Sequence, residues 1–368
     1  MPRGYAIKDT KKPTDFEVIE FELKKPGDHD VDVAIECCGV CGSDHHTITG
    51  GWGPLSGPCI PGHEIIGTVT QVGKSVKDPK IKVGARVGVG AQVDSCGECA
   101  NCKNESEQYC VGNKEGTKGM VDTYNSTHHD GTAAQGGYST HIRTQEQFVF
   151  AIPDEIESTD AASMLCAGLT VYSPLLRNGV KKGTRVGVVG LGGLGHYAVL
   201  WAKAMGADVT VISHSPRKAE DAKKLGASEF ISTKEKPDWA SEFGREKPLD
   251  IIISTASSNA VDIPAFLSSL SVHGRLIFVG MPEDEFKSLR SQQFAGNGAL
   301  LGGSHIGSKV EALSMLDLAA KEKIKPWIEV LPMKDCGKAI QRLADGDVRY
   351  RFVLTQDLED HKKAAEKA

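Results

Sequence analysis

Ten cysteines are spread along the 368 residues, and four of them crowd into the stretch 96–110 as Cys96-x2-Cys99-x2-Cys102-x7-Cys110. Thiols at this spacing converge on one tetrahedral ion as four thiolates, the donor set of a structural zinc. With every coordination position filled by protein, such an ion holds a lobe together and performs no chemistry. A zinc finger for nucleic acid needs positive charge, yet the lobe from Asp94 to Gly112 carries Glu98, Glu105 and Glu107 against Lys103. A disulfide scaffold is the other use of many cysteines, but the chain is long and Met1 to Lys12 lacks the apolar run of a secretory signal.

An open, catalytic zinc takes three protein donors and leaves the fourth position to water or substrate. Cys41 in Gly39-Val-Cys-Gly-Ser-Asp-His-His, His63 with Glu64 in Pro61-Gly-His-Glu, and Cys166 in Cys-Ala-Gly-Leu-Thr offer donors of the right type. Their flanks suggest exposure in a cleft. Singly, a Cys or His is more often a core or surface residue, so these three draw their weight from joint occurrence with a nucleotide motif. Proton-moving chemistry at such an ion also needs a proton exit, for which Ser43 and His46 stand close behind Cys41 in sequence. The adjacent His45 leaves open which imidazole serves. His128 and His129 have no partner at ligand spacing and are read as loop residues.

The nucleotide motif is Gly190-x-Gly192-Gly193-x-Gly195, which closes the apolar run Val186 to Val189 and opens a helical pattern. In that context the glycines let the backbone approach a pyrophosphate at a helix N-terminus. An NAD-selective fold puts Asp or Glu at the end of the next strand, to bind the ribose 2'-hydroxyl. Here the position reads Ser213-His214-Ser215-Pro216-Arg217-Lys218, which removes the repulsion of a 2'-phosphate and supplies hydrogen bonds and charge to hold it. NADP(H) is therefore expected over NAD(H). The candidate cofactor residues are Gly190, Gly192, Gly193, Leu194, Gly195, Ser213, His214, Ser215, Arg217 and Lys218, with Thr170 after Cys166.

The elements that position these residues fall into two kinds. Short β runs separated by Gly and Pro (Val31-Asp-Val-Ala-Ile, Gly67-Thr-Val-Thr-Gln-Val, Arg86-Val-Gly-Val) mark residues 1–160 as a β-rich domain carrying the lobe, with Asn113 to Gly136 as an irregular loop. Residues 161–305 alternate strand and helix: Thr184 to Val189, a helix Gly195 to Met205, Asp208 to Ile212, a Lys-rich helix to Leu225, then strands at Leu249, Gly274 and Gly298. That alternation specifies an α/β fold, a doubly wound parallel Rossmann sheet. Residues 306–368 add a helix and the strand Arg351-Phe-Val-Leu, which we expect to return to the first domain, and a charged helical or frayed end from Asp357. A net charge of -5 argues against nucleic acid or an anionic membrane surface as partner. No run of about 18 apolar residues is present, so a cytoplasmic location is expected.

Taken together, Gly39-Val-Cys-Gly-Ser-Asp, Pro61-Gly-His-Glu-Ile-Ile-Gly, the four-Cys lobe, Gln135-Gly-Gly-Tyr, Cys166-Ala-Gly-Leu-Thr-Val-Tyr-Ser-Pro-Leu and Gly190-Leu-Gly-Gly-Leu-Gly make the chain resemble the zinc-containing medium-chain alcohol dehydrogenases. Within them it is similar to the cinnamyl alcohol dehydrogenase-like branch that includes fungal NADP-dependent enzymes. The resemblance covers nearly the whole chain. It implies a GroES-like catalytic domain beside the Rossmann domain, with one catalytic and one structural zinc. It implies that Cys41, His63 and Cys166 are ligands of the first, that Glu64 is a neighbour or alternate ligand, and that Asp44 orients His63 from behind. It also implies that a nicotinamide ribose hydroxyl links Ser43 to His46, that Trp52 walls the substrate pocket, and that the protein is a dimer or a tetramer; a homodimer is expected, for which the apolar run at Gly298 offers an edge strand. The expected substrates are primary alcohols and their aldehydes, medium-chain, benzylic or cinnamyl. A polyol or secondary-alcohol dehydrogenase is the alternative, and a non-catalytic zinc- and nucleotide-binding protein a more distant one.

Overall fold

The computed structural model describes every residue except Thr117, Lys287, Ser288 and 359–368, so most of the charged tail expected from Asp357 lies outside the described residues. The chain divides into two compact units: Met1–Cys166 with the chain from Gly307 onward, and Ala167–Ile306.

In the first unit the long strand Asp30–Val40 is the organiser. Its apolar residues are buried on both faces, and it pairs antiparallel with Ile65–Val72, His141–Gln145 and Arg351–Thr355 within a seven-stranded sheet. Val31, Val33, Ile35, Ile65, Val69, Val87, Val89, Phe352 and Leu354 form its core. Strand Arg351–Thr355 runs alongside Val40 to Cys37, with Phe352 opposite Val40, so the end of the chain is built into the sheet next to the start of the metal motif. Among its described residues, the segment expected as an irregular loop holds only two-residue strands, Val121–Asp122, Ser126–Thr127 and Ala133–Ala134.

The second unit is a six-stranded sheet, parallel throughout, in the order Glu229–Ser232, Asp208–Ser213, Arg185–Val189, Leu249–Ser254, Leu270–Phe278, Leu300–Gly303. In chain order that is third, second, first, fourth, fifth, sixth, the doubly wound arrangement in which strand order reverses beside the first strand. Gly190 follows directly on that strand, at its carboxyl end, where such sheets bind ligands. Strand Glu229–Ser232 was not foreseen: four residues, Glu-Phe-Ile-Ser, are too short and too polar to show a period. The helix after the glycines spans Gly193–Ala204 and buries Tyr197, Ala198 and Trp201. Among the described residues, no helix is long and apolar enough to cross a membrane.

Candidate metal and nucleotide sites

The four lobe cysteines come together as free thiols, their sulfurs separated by 3.4 Å (Cys96 and Cys110), 3.5 Å (Cys99 and Cys102), 3.9 Å (Cys96 and Cys102) and 4.0 Å (Cys99 and Cys110). Sulfurs about 2.3 Å from a tetrahedral ion stand about 3.8 Å apart, whereas a disulfide would close to about 2.0 Å, so the cage has the size of a zinc thiolate site. Backbone N–H groups already face the sulfurs: Cys99 N reaches Cys96 Sγ at 3.3 Å and Gly112 N reaches Cys110 Sγ at 3.4 Å. Hydrogen bonds from the backbone of Cys102 and Val111 hold the Cys99 thiol down at about 6, a thiolate at neutral pH. The lobe is anchored by Glu107, whose buried carboxylate accepts the N–H of Lys309 at 2.5 Å, at the start of helix Lys309–Glu322.

A second group, Cys41, His63, Glu64 and Cys166, brings one donor atom from each residue within 4.8 Å of the others. Cys41 follows the central strand and caps the short helix Gly42–Ile48, His63 precedes strand Ile65–Val72, and Cys166 follows the turn Ser163–Leu165. Cys41 Sγ lies 4.0 Å from Cys166 Sγ, which is 3.1 Å from His63 Nε2. The expectation that their flanks expose these residues is corrected: all four are buried, Glu64 completely. The flanking glycines serve close backbone packing instead. A Cβ on Gly39 would stand 2.0 Å from Glu64 Oε2, and Gly62, at φ +100, has the Tyr138 ring where a Cβ would go. The Cys166 thiol beside Cys41 pulls that thiol well below the ordinary range, while Cys41 and burial raise its own.

Asp44, fully buried, organises the cluster. Its Oδ1 accepts from Gly62 N and His63 Nδ1, both at 3.1 Å, and its Oδ2 from Cys41 N at 2.8 Å and the Tyr138 hydroxyl at 3.2 Å. Burial lowers the His63 imidazole, but the Asp44 carboxylate and the Cys41 thiolate together raise it and leave the group well above its ordinary value. With Nδ1–H donated to Asp44, it is Nε2 that faces the thiols. Arg351, from the last strand, is the residue that no local signal announced. Its buried guanidinium meets both Glu64 oxygens, at 2.5 and 2.6 Å. Burial raises the Glu64 carboxyl and Arg351 lowers it, leaving it at about 7.

Ser43 Oγ lies 3.6 Å from Cys41 Sγ. His46 is partly buried, and Trp52, 44% exposed, stacks on it with ring centroids 5.0 Å apart and planes 15° from parallel. Trp52 is thus a wall to His46 first of all. Neither His128 nor His129 joins a metal group. His128 is buried, and His129 Nε2 donates to Gly119 O at 3.0 Å.

In the second unit the glycines differ in what surrounds them. Gly190 needs its φ of +84, Gly195 sits so close that a Cβ would be 2.1 Å from Gly190 O, and Gly192 has nothing within 4 Å of a Cβ position. The first two make the turn, and the third leaves a cradle open at the N-terminus of helix Gly193–Ala204, beside Leu194. Strand Asp208–Ser213 ends without a carboxylate; His214 and Arg217 are exposed, and Ser215 Oγ lies 3.4 Å from Arg217 Nε. Lys218 Nζ donates to Leu191 O at 2.7 Å, which ties the basic segment to the glycine turn. Thr170 is buried on helix Ala167–Arg177.

Residues 27–154 match the alcohol dehydrogenase GroES-like domain, and residues 193–321 match the zinc-binding dehydrogenase family. The chain is 43% identical to NADP-dependent alcohol dehydrogenase 6 of Saccharomyces cerevisiae, over 95% of each chain. Its fold is similar to that of a cinnamyl alcohol dehydrogenase from Sorghum bicolor, with a TM-score of 0.89, 36% identity, and 98% and 99% of the two chains covered. A Helicobacter pylori cinnamyl alcohol dehydrogenase solved with NADP(H) gives a TM-score of 0.86 at 35% identity over 96% of this chain and 97% of that one. The chain belongs to the zinc-containing medium-chain alcohol dehydrogenases, on their cinnamyl alcohol dehydrogenase-like branch.

Proposed function

We propose that this chain is a zinc-dependent oxidoreductase that transfers a hydride between NADP(H) and a primary alcohol or its aldehyde, medium-chain, benzylic or cinnamyl, acting in the cell mainly in aldehyde reduction. The observation that carries the reading is the buried convergence of Cys41, His63 and Cys166 while Arg351 occupies both oxygens of Glu64. Three donors and a neighbour held by another partner describe an open site. Cys41, His63 and Cys166 would hold the catalytic zinc, with Glu64 as alternate ligand, and Cys96, Cys99, Cys102 and Cys110 the structural one. When bound, the catalytic ion supplies Lewis-acid polarisation of the substrate oxygen. NADP(H) supplies or accepts the hydride.

The chain's own residues do the rest. Ser43 Oγ takes the hydrogen bond of the substrate hydroxyl, and the His46 imidazole, held by Trp52, passes the proton on to solvent. Asp44 keeps His63 in the tautomer that leaves Nε2 for the metal. Gly190 to Gly195, with Leu194 and Thr170, cradle the dinucleotide, and Ser213, His214, Ser215, Arg217 and Lys218 take the 2'-phosphate. Residues 1–160 and 306–368 form the catalytic part, completed by Cys166, and the rest of 161–305 the cofactor part. Leu300 and Leu301, exposed on edge strand Leu300–Gly303, support a homodimer joined there. Ten cysteines, all free, support the reducing cytoplasm.

The test is a steady-state panel of cinnamaldehyde, benzaldehyde, hexanal and sorbitol with NADPH and NADH, together with metal analysis. Two zincs per chain and chelator-sensitive NADPH oxidation with the aldehydes are expected. A preference for NADH refutes the phosphate-site reading, sorbitol as best substrate refutes the primary-alcohol reading, and one zinc with no turnover refutes the enzyme.

A further inference from the structure

Gln135-Gly-Gly-Tyr has no part in the chemistry above, yet hydrogen bonds lace it to the run that leads into His63. Gln135 takes the N–H of Ile60 on Oε1 at 2.7 Å and donates from Nε2 to Pro58 O at 3.0 Å. Gly136 N reaches Ile60 O at 2.7 Å, Gly137 N reaches Gly62 O at 2.7 Å, and Tyr138 N reaches Pro61 O at 2.9 Å. The two segments lie too close for side chains: a Cβ on Gly136 would stand 2.5 Å from Gly62 O, and one on Gly137 2.6 Å from Cys38 Sγ. Tyr138 ends the segment with its ring fully buried against Gly62 and its hydroxyl on Asp44 Oδ2.

Asp44 is what joins this segment to the metal donors. A carboxylate has about four acceptor positions. Those of Asp44 go to Cys41 N, Gly62 N, His63 Nδ1 and the Tyr138 hydroxyl. Two of these donors belong to the metal-binding residues themselves. The Tyr138 hydroxyl shares Oδ2 with Cys41 N, so it sets the rotation of the carboxylate on which Cys41 and His63 both depend. A buried carboxylate that loses one donor turns toward those that remain, and the ligands turn with it.

We propose that residues 135–138 are a clasp that positions the catalytic zinc ligands, with Tyr138 as the positioning residue acting through Asp44. The proposal rests on the reading of Cys41, His63 and Cys166 as ligands. Its test is zinc release from the purified holoenzyme into a colorimetric chelator. Cys166→Ser, which removes an open-site ligand, identifies the phase that belongs to the lobe. Tyr138→Phe keeps the ring and removes only the hydroxyl, so the open-site phase should become faster by up to about 10-fold, the lower end of what losing a direct partner of a metal-bound His costs in affinity, while the lobe phase keeps its rate. Gln135→Ala, farther from the metal, should shift the open-site phase in the same direction by less. An unchanged open-site phase in Tyr138→Phe overturns the clasp alone, and so does equal acceleration of both phases, which would make the hydroxyl a general packing element. A wild-type enzyme that releases only one zinc per chain in total overturns the open site, and the clasp with it.

Discussion

Alanine at Gly192 and alanine at Gly195 should do opposite things, although the two glycines belong to one motif. At position 195 the new Cβ would stand 2.1 Å from Gly190 O and 2.9 Å from its carbon, both backbone atoms that have no rotamer to escape into. Reaching an ordinary contact requires strand end and helix to part by about 1 Å, at the upper end of the roughly 1–3 kcal/mol that overpacking costs. For a chain of 368 residues, whose unfolding entropy is about 0.8 kcal/mol/K, about 3 kcal/mol lowers the melting temperature by roughly 4 °C. At position 192 nothing lies within 4 Å of the Cβ, and φ is -115, so the fold has no objection. Alanine is a poorer helix cap than glycine, but it also restricts the unfolded chain, and the two effects offset to within about 1 kcal/mol. Its methyl group instead occupies the cradle. Each N–H to phosphate hydrogen bond lost there is worth about 1.5–3 kcal/mol, so NADPH should bind about 10- to 100-fold more weakly. Thermal melting without cofactor and fluorescence titration with NADPH separate the two variants. If Gly195→Ala melts with the wild type, or Gly192→Ala binds NADPH with wild-type affinity, then the division between turn-making and cradle-leaving glycines is wrong.

Arg351→Met leaves the Glu64 carboxylate buried without its cation, and should cost about 3–5 kcal/mol in urea unfolding; a loss under 1 kcal/mol would show that the pair contributes little. Cys110→Ser should lower bound zinc from two ions to one by metal analysis, and lower the melting temperature, while the open site stays loaded; retention of both zincs would exclude Cys110 as a ligand. Ser213→Asp restores the carboxylate that NAD-selective sheets carry, and kcat/KM for NADPH relative to NADH should fall by at least about 10-fold. An unchanged ratio would place the 2'-phosphate elsewhere.

Local spacing was enough for the four-Cys lobe and the glycine turn, because in each the interacting atoms lie a few residues apart and the backbone between them has little choice. The same holds for the strand pattern of the nucleotide unit, apart from Glu229–Ser232, which lacks the length to show a period. Donor types at Cys41, His63 and Cys166 were also legible, but not their burial, since glycines beside them suggested openness and in fact mark where backbone and side chain press together. Only the tertiary structure brought Arg351 to Glu64 across 287 residues and Tyr138 to Asp44 across 94. Sequence by itself determined which chemistry the donors suit and which nucleotide the strand end admits, because residue type sets both. The folded chain decided which groups orient those donors, because a buried charge is satisfied by whatever the sheet places next to it, and sheet order is not written in local spacing.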